Sequence, residues 1–259
     1  MDLGIKGKRA LVCASSKGLG RGCAMALAAE GVDLVINARG AEALEATAAE
    51  IRAAHGVEVV AVAADITSED GRARVLEACG QIDILVNNAG GPPPGFWPDW
   101  ERDDFIKALD SNMLTPIALI KALVPAMMDR GWGRVVNITS ASVRSPIGQL
   151  GLSNSARAGL TGYVAGTSRQ VASKGVVMNN LLPGSHDTDR IKSLTEATMK
   201  REGITMEEAV AKRNASNPTG RIGTAEEFGA TCAFMCSQYA GFMIGQNVLL
   251  DGGAFNTTM

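Results

Sequence analysis

With 259 residues, 46% of them apolar and 20% charged, the chain can bury a sizeable core and is not globally disordered. Its formal net charge of −2, with Lys and Arg scattered, gives no electrostatic case for nucleic acid or an anionic membrane. The N-terminus carries no apolar h-region, no stretch approaches the unbroken apolar length of a membrane span, and the five cysteines form no Cys-x-x-Cys pair or Cys/His cluster. No metal site is read, and a reducing, cytoplasmic location is expected.

The first predicted strand covers 10–13. It runs into Ala14-Ser15-Ser16-Lys17-Gly18-Leu19-Gly20-Arg21-Gly22 and an alanine-rich stretch over 23–30, with a helix predicted near 18–30. Small residues in such a turn let the backbone approach a pyrophosphate, and the helix N-terminus offers free N–H groups to it. Glycine turns of this kind also close ordinary βα units, so the turn alone does not decide. Further strands are predicted at 34–36, 57–63, 82–86, 134–138, 176–182 and 247–250. They alternate with helices near 41–54, 69–79, 102–129, 150–173 and 224–238. This alternation predicts α/β architecture: one doubly wound domain over 1–259, with about seven parallel strands and helices on both faces. Two segments depart from it. Gly90-Gly91-Pro92-Pro93-Pro94-Gly95 is a stiff loop, and 185–218 is a polar, partly helical insertion, read as a substrate loop or as a mobile decoration.

Several motifs fall at strand ends. Asp65-Ile66 closes the third strand, Asn87-Asn88-Ala89-Gly90 the fourth, Asn137-Ile138-Thr139-Ser140 the fifth and Pro183-Gly184 the sixth, while Asn112 lies in the long helix after the fourth. With Gly220-Arg221-Ile222-Gly223-Thr224-Ala225-Glu226-Glu227 and Asp251-Gly252-Gly253, this series resembles the short-chain dehydrogenase/reductase family. It is most similar to a divergent branch of 3-oxoacyl-carrier-protein reductase relatives with an incomplete catalytic tetrad. The resemblance implies a Rossmann-type fold and a bound nicotinamide dinucleotide. Ser15, Lys17, Gly18, Leu19 and Gly20 would line the phosphates. Asp65 and Ile66 would meet the adenine, Asn88, Ala89 and Gly90 the adenosine half, and Pro183, Gly184 and Thr188 the nicotinamide. Ala14 stands where the family's turn has glycine. Asp65 has a second reading, as a helix cap with Thr67 and Ser68.

NAD-selective enzymes place a carboxylate at the end of the second strand, where it bonds the ribose hydroxyls and repels a phosphate. Here that strand ends Asn37-Ala38-Arg39, with no acid. Arg39 and Lys17 could meet a 2′-phosphate, so NADP is expected in preference to NAD; two solvated surface cations are the alternative.

The family's catalytic groups are a Ser, a Tyr, a Lys and an Asn. Ser140 and Asn112 match by position, but the Tyr and Lys positions fall on Ser153 and Arg157, still four apart on one helix face. An aliphatic hydroxyl is far less acidic than a phenol of pKa about 10, and an arginine releases no proton near neutrality. Arg157 can still bond nicotinamide-ribose hydroxyls. Tyr163 lies roughly 15 Å along the helix from Ser153, out of reach of the same carbonyl. His186 offers an imidazole that titrates near neutrality, and Asp187 and Asp189 are further candidates. The expected function is an NADP(H)-dependent oxidoreductase acting on a small-molecule carbonyl or alcohol. Ser140 would orient the oxygen, and a water or the His186 loop would deliver the proton. An NADP-binding protein with little turnover is the alternative. Apolar residues beyond one stripe on the long helices (Leu119, Leu123, Met127, Leu160, Val164), with the resemblance, imply a homotetramer or homodimer; burial against the sheet is the other reading.

Overall fold

The computed structural model describes residues 1–258, Arg190 by its backbone alone. Seven strands, β1 (Arg9–Val12), β2 (Asp33–Ala38), β3 (Val59–Ala63), β4 (Ile84–Asn87), β5 (Gly133–Ile138), β6 (Val176–Pro183) and β7 (Asn247–Leu250), form one sheet in the order β3-β2-β1-β4-β5-β6-β7. Every neighbouring pair is parallel. The connecting helices are α1 (Gly18–Ala29), α2 (Ala41–His55), α3 (Glu69–Cys79), α4 (Arg102–Leu109), α5 (Thr115–Asp129), α6 (Gly151–Val171), α7 (Asp189–Glu202), α8 (Met206–Ala215) and α9 (Ala225–Met235).

The continuous apolar character of the central strands follows from this arrangement, because both sheet faces are covered. Successive residues of β1 go to opposite layers. Ala10 and Val12 join the core under α1, α2 and α9, with Leu27, Ile51 and Phe228. Leu11 joins the core under α3, α5 and α6, with Val75, Met127 and Leu160. The 185–218 insertion folds into α7 and α8, each started by a threonine cap. Thr188 accepts from the Ile191 N–H, and Thr205 and Glu208 cap each other's backbone reciprocally.

Two expectations change. The long helix over 102–129 is interrupted by a π-helical turn at Asp110–Leu114 that separates α4 from α5. The run Arg102–Asp129 is long and apolar enough to cross a membrane by length and composition, although Lys107, Asp110 and Lys121 break its apolar sequence. In this fold α5 is a core helix that lays Leu119, Ile120, Val124 and Met127 on the sheet side. Leu119, Met127, Leu160 and Val164 are each at most 2% exposed within the single chain, and Leu123 packs against the same core. Burial against the sheet therefore accounts for them, and they carry no argument for assembly.

Helices α1 and α9 approach closely because glycines sit at the crossing. A Cβ on Gly229 would lie 2.2 Å from the Gly22 carbonyl oxygen, and one on Gly22 would lie 2.3 Å from that of Ala225. Backbone cannot yield as a side chain does, so Gly229→Ala should cost about 1–3 kcal/mol. A lower urea midpoint with an unchanged slope is the expected result; an unshifted midpoint would show that the helices separate freely.

Candidate active site

A cleft of about 2270 Å³ opens along the C-terminal ends of the strands, at the β1/β4 boundary where the strand order reverses. One end is built from the glycine turn. Gly18 adopts φ +56°, and Ala14 adopts φ +47°, a left-handed conformation that costs a residue with a Cβ about 1–2 kcal/mol. The turn keeps this shape because Gly20 presses on Ala14: a Cβ there would meet the Ala14 carbonyl oxygen at 2.2 Å. Gly20 thus serves close packing of turn on helix. Gly18 and Leu19 line the cleft. Ser15 does not: it is fully buried, its hydroxyl donating to the Val12 carbonyl at 2.9 Å, and Ser16 faces the cleft in its place.

At the adenosine end Asn37, Ala38 and Arg39 close β2 with no carboxylate, and Arg39 is exposed on the cleft wall. Asp65 and Ile66 line the same wall. Asp65 Oδ1 accepts from Thr67 N at 3.0 Å and Thr67 Oγ1 at 2.8 Å, and these bonds hold its carboxyl below the usual range. The cap of α3 itself is Ser68, which accepts from the Gly71 N–H. Asn88 donates to the Ala14 carbonyl at 3.3 Å, tying β4's exit to the glycine turn, and Ala89 and Gly90 continue the wall. Lys17 also lines the cleft. Its ammonium lies 2.5 Å from Asp189 Oδ2 on α7, so it latches the insertion across the turn and leaves Arg39 as the cation at the β2 exit.

The central part of the cleft holds Ser140, Ser153 and Arg157. Ser140, just past β5, accepts a hydrogen bond from the Ser142 N–H at 3.0 Å. Ser153, one turn into α6, accepts from Arg157 Nε at 3.2 Å. Arg157 is only 7% exposed; its Nη1 donates to the Ile138 carbonyl at 2.7 Å and its Nη2 to that of Ala89 at 3.3 Å. Asn112 sits in the π-helical turn, 2% exposed, donating to Ser111 Oγ and the Ala108 carbonyl, with Oδ1 buried and unpartnered.

The β6 exit, Pro183 and Gly184, lines the cleft with Thr188, whose methyl is 3.4 Å from the Cβ position of Gly18. His186 is 3% exposed, its ring edge-on to Phe228 at 5.2 Å and packed on Gly223. Burial lowers its pKa below the ordinary imidazole value, partly opposed by the Gly184 carbonyl and Glu227. Asp187 and Asp189 are engaged by Lys192 and Lys17. Several cleft residues escaped the sequence reading: Ser16, Phe96, Trp97, Gln149, Arg213 and Asn217. They belong to loops and to the insertion, where no periodicity marks the side facing the cleft.

A seven-stranded parallel sheet in this order, with a glycine turn at the switch point and a serine beyond the fifth strand, defines a class of dinucleotide-binding oxidoreductases. Residues 13–255 match the family model described as enoyl-(acyl carrier protein) reductase. The chain is 31% identical to the 3-oxoacyl-acyl-carrier-protein reductase FabG of Pseudomonas aeruginosa, over 98% of this chain and 99% of that one. It is 29% identical to the NADPH-dependent reductase BacG of Bacillus subtilis, over 96% and 98% of the two chains. L-sorbose reductase from Gluconobacter frateurii, solved in complex with NADPH and L-sorbose, superposes with a TM-score of 0.94 at 27% identity, over 99% and 100% of the two chains. The chain belongs to the short-chain dehydrogenase/reductase family and resembles its 3-oxoacyl-acyl-carrier-protein reductases.

The strained alanine gives a direct test of the turn. Ala14→Gly should relieve the left-handed conformation and, after the entropy glycine loses on folding, stabilise the protein by about 0.5–1 kcal/mol. The urea midpoint should rise; a fall would mean that the backbone there is not strained.

Proposed function

We propose that this chain is an NADP(H)-dependent reductase that transfers a hydride between nicotinamide and the carbonyl or alcohol carbon of a small molecule, without a phenolic acid. The carrying observation is the bonding of the two serines. Each hydroxyl oxygen already accepts an internal N–H, Ser140 from Ser142 and Ser153 from Arg157, so each O–H proton is left to donate into the cleft. Two such donors, backed by the Arg157 charge, suit an oxygen on which negative charge develops. Neither serine ionises near neutrality, so the proton comes from water. The unpartnered Oδ1 of Asn112 is an acceptor that a buried water would satisfy, which supports a path from the π-helical turn. His186, buried and held neutral, positions the β6 exit loop.

The coenzyme reading rests on this chain's own residues. Gly18, Leu19 and Ser16 form the cradle for the phosphates, Asp65 and Ile66 take the adenine, and Arg39 takes the 2′-phosphate with no carboxylate to oppose it. When bound, the coenzyme supplies the hydride. The NADPH in the sorbose reductase complex and the name of the Bacillus relative support the same choice. One observation favours the second reading, a coenzyme-binding protein with little turnover: three Arg157 nitrogens serve internal acceptors. For assembly, the reading is a homodimer or homotetramer, supported by the exposed Leu114 beside Ile117, Ala118 and Ala122 on α5, with Lys121 at the edge of this patch.

Calorimetry and NADPH oxidation test this together. NADPH should bind about tenfold or more tighter than NADH, and Arg39→Ala should erase that preference. Against a panel of ketones, aldehydes and 3-oxoacyl thioesters, Ser140→Ala should lower kcat by about 10²–10³-fold. Equal binding of the two coenzymes sinks the NADP assignment. Turnover that is absent, or indifferent to Ser140, favours the second reading.

A further inference from the structure

The α7–α8 insertion carries a charge that neither the fold nor the chemistry above uses. Arg213, near the end of α8, is partly buried, and its Nε donates to Thr195 Oγ1 on α7 at 2.8 Å, which fixes the guanidinium. The other described charges of the insertion that line the cleft have opposites: Asp189 with Lys17, Asp187 with Lys192, and Arg201 with Glu202. No carboxylate lies within ion-pair distance of Arg213 among the described residues. Burial alone lowers its pKa, with no acid opposing the shift. Four residues on, Asn217 lines the same cleft, is 5% exposed, and has its Nδ2 buried without a partner. Asp251, at the neighbouring strand exit, spends both carboxylate oxygens on the N–H groups of Gly253 and Phe255.

A partly dehydrated guanidinium without a counter-ion and an orphaned amide donor are each unfavourable until something supplies an acceptor. A planar fork fits a carboxylate or a phosphate, and Asn217 on the same cleft wall adds a second donor. We propose that Arg213 and Asn217 form an anion subsite that takes the charged end of the substrate, so that the enzyme reduces oxo compounds bearing a carboxylate or phosphate remote from the carbonyl. This rests on the reductase reading. Asn217 packs beside Gly252, just past β7, whereas Ser140 follows β5. Two strand spacings separate those exits, roughly 10 Å, which points to a spacer of several carbons between the two groups.

The test is calorimetry of the NADPH-saturated protein with linear oxo acids from 4-oxopentanoate to 8-oxononanoate, their methyl esters, and oxoalkyl phosphates of matching length. At least one acid or phosphate should bind about 10–100-fold tighter than its neutral ester, and the better of the two names the anion. Arg213→Met should abolish that preference while leaving ester affinity unchanged. Arg213→Lys should keep part of it, and Thr195→Val, which cuts the tether but leaves the charge, should keep most. Equal binding of acid and ester by the wild type needs no variant to interpret and overturns the subsite, as does a preference that survives Arg213→Met or no binding by any probe. Absence of NADPH binding would fell the reductase reading alone; the acid and ester comparison on coenzyme-free protein would then decide the subsite.

Discussion

The buried guanidinium of Arg157 holds the active region together. It reaches from α6 to the carbonyls of Ile138 and Ala89, at the exits of β5 and β4, and touches the Ser153 hydroxyl on its own helix. A charge only 7% exposed is costly to bury unless its hydrogens are bonded. The forked geometry of arginine meets that demand where an ammonium, with its donors on one atom, could not span two strand ends and a hydroxyl at once. If Ser153 and Arg157 stand at the family's phenol and amine positions, as proposed, the exchange does not leave a gap. It gives a rigid positive group whose position fixes the helix, the two strand exits and the orientation of Ser153 together.

The glycine turn and the insertion are likewise coupled. Ala14 occupies a left-handed conformation because Gly20 packs on its carbonyl and Asn88 donates to it, so local strain is offset by contacts from α1 and β4. Thr188 packs against Gly18, and Lys17 pairs with Asp189, so α7 is joined to the same turn. Both partners of that ion pair are largely exposed, and such pairs contribute little to stability. The latch can open at small cost.

Much of this was legible in the sequence. The apolar runs of β1, β4 and β5 announce a buried parallel sheet because both faces need burial, and the motifs at the strand exits follow the chain in order. The positions of Ser140, Ser153 and Arg157 could be read; what Arg157 bonds could not, since Ile138 and Ala89 approach α6 only through the sheet. Ser15 and Ser16 are adjacent and chemically alike, and only the backbone path decides which faces the cleft. Lys17 could be read as a cation near the phosphates, but not its pairing with Asp189, which α7, remote in sequence, brings to it. Arg213 and Asn217 are hidden for the same reason: a polar residue on a polar helix and another just past its end acquire meaning only when burial removes water from them.

Replacing a phenol by a serine also changes what the site can ask of a substrate. A phenol can hand over its proton as the hydride arrives, so even a weakly polarised carbonyl becomes neutral alcohol in one step. On the proposed reading a serine hydroxyl donates a hydrogen bond but not its proton, so charge builds on the oxygen and is held electrostatically until water supplies the proton. The Arg157 field lowers the cost of that charge, more so in a site with little water. Substrates that arrive already electron-poor at the reacting carbon gain most from such a site. Binding energy taken from a remote anionic group then matters more than in a relative with an acid, because it positions the carbon and excludes water at once. Arg213, without a counter-ion among the described residues, fits the division of labour proposed above: one cation near the reacting oxygen, another at the substrate's far end.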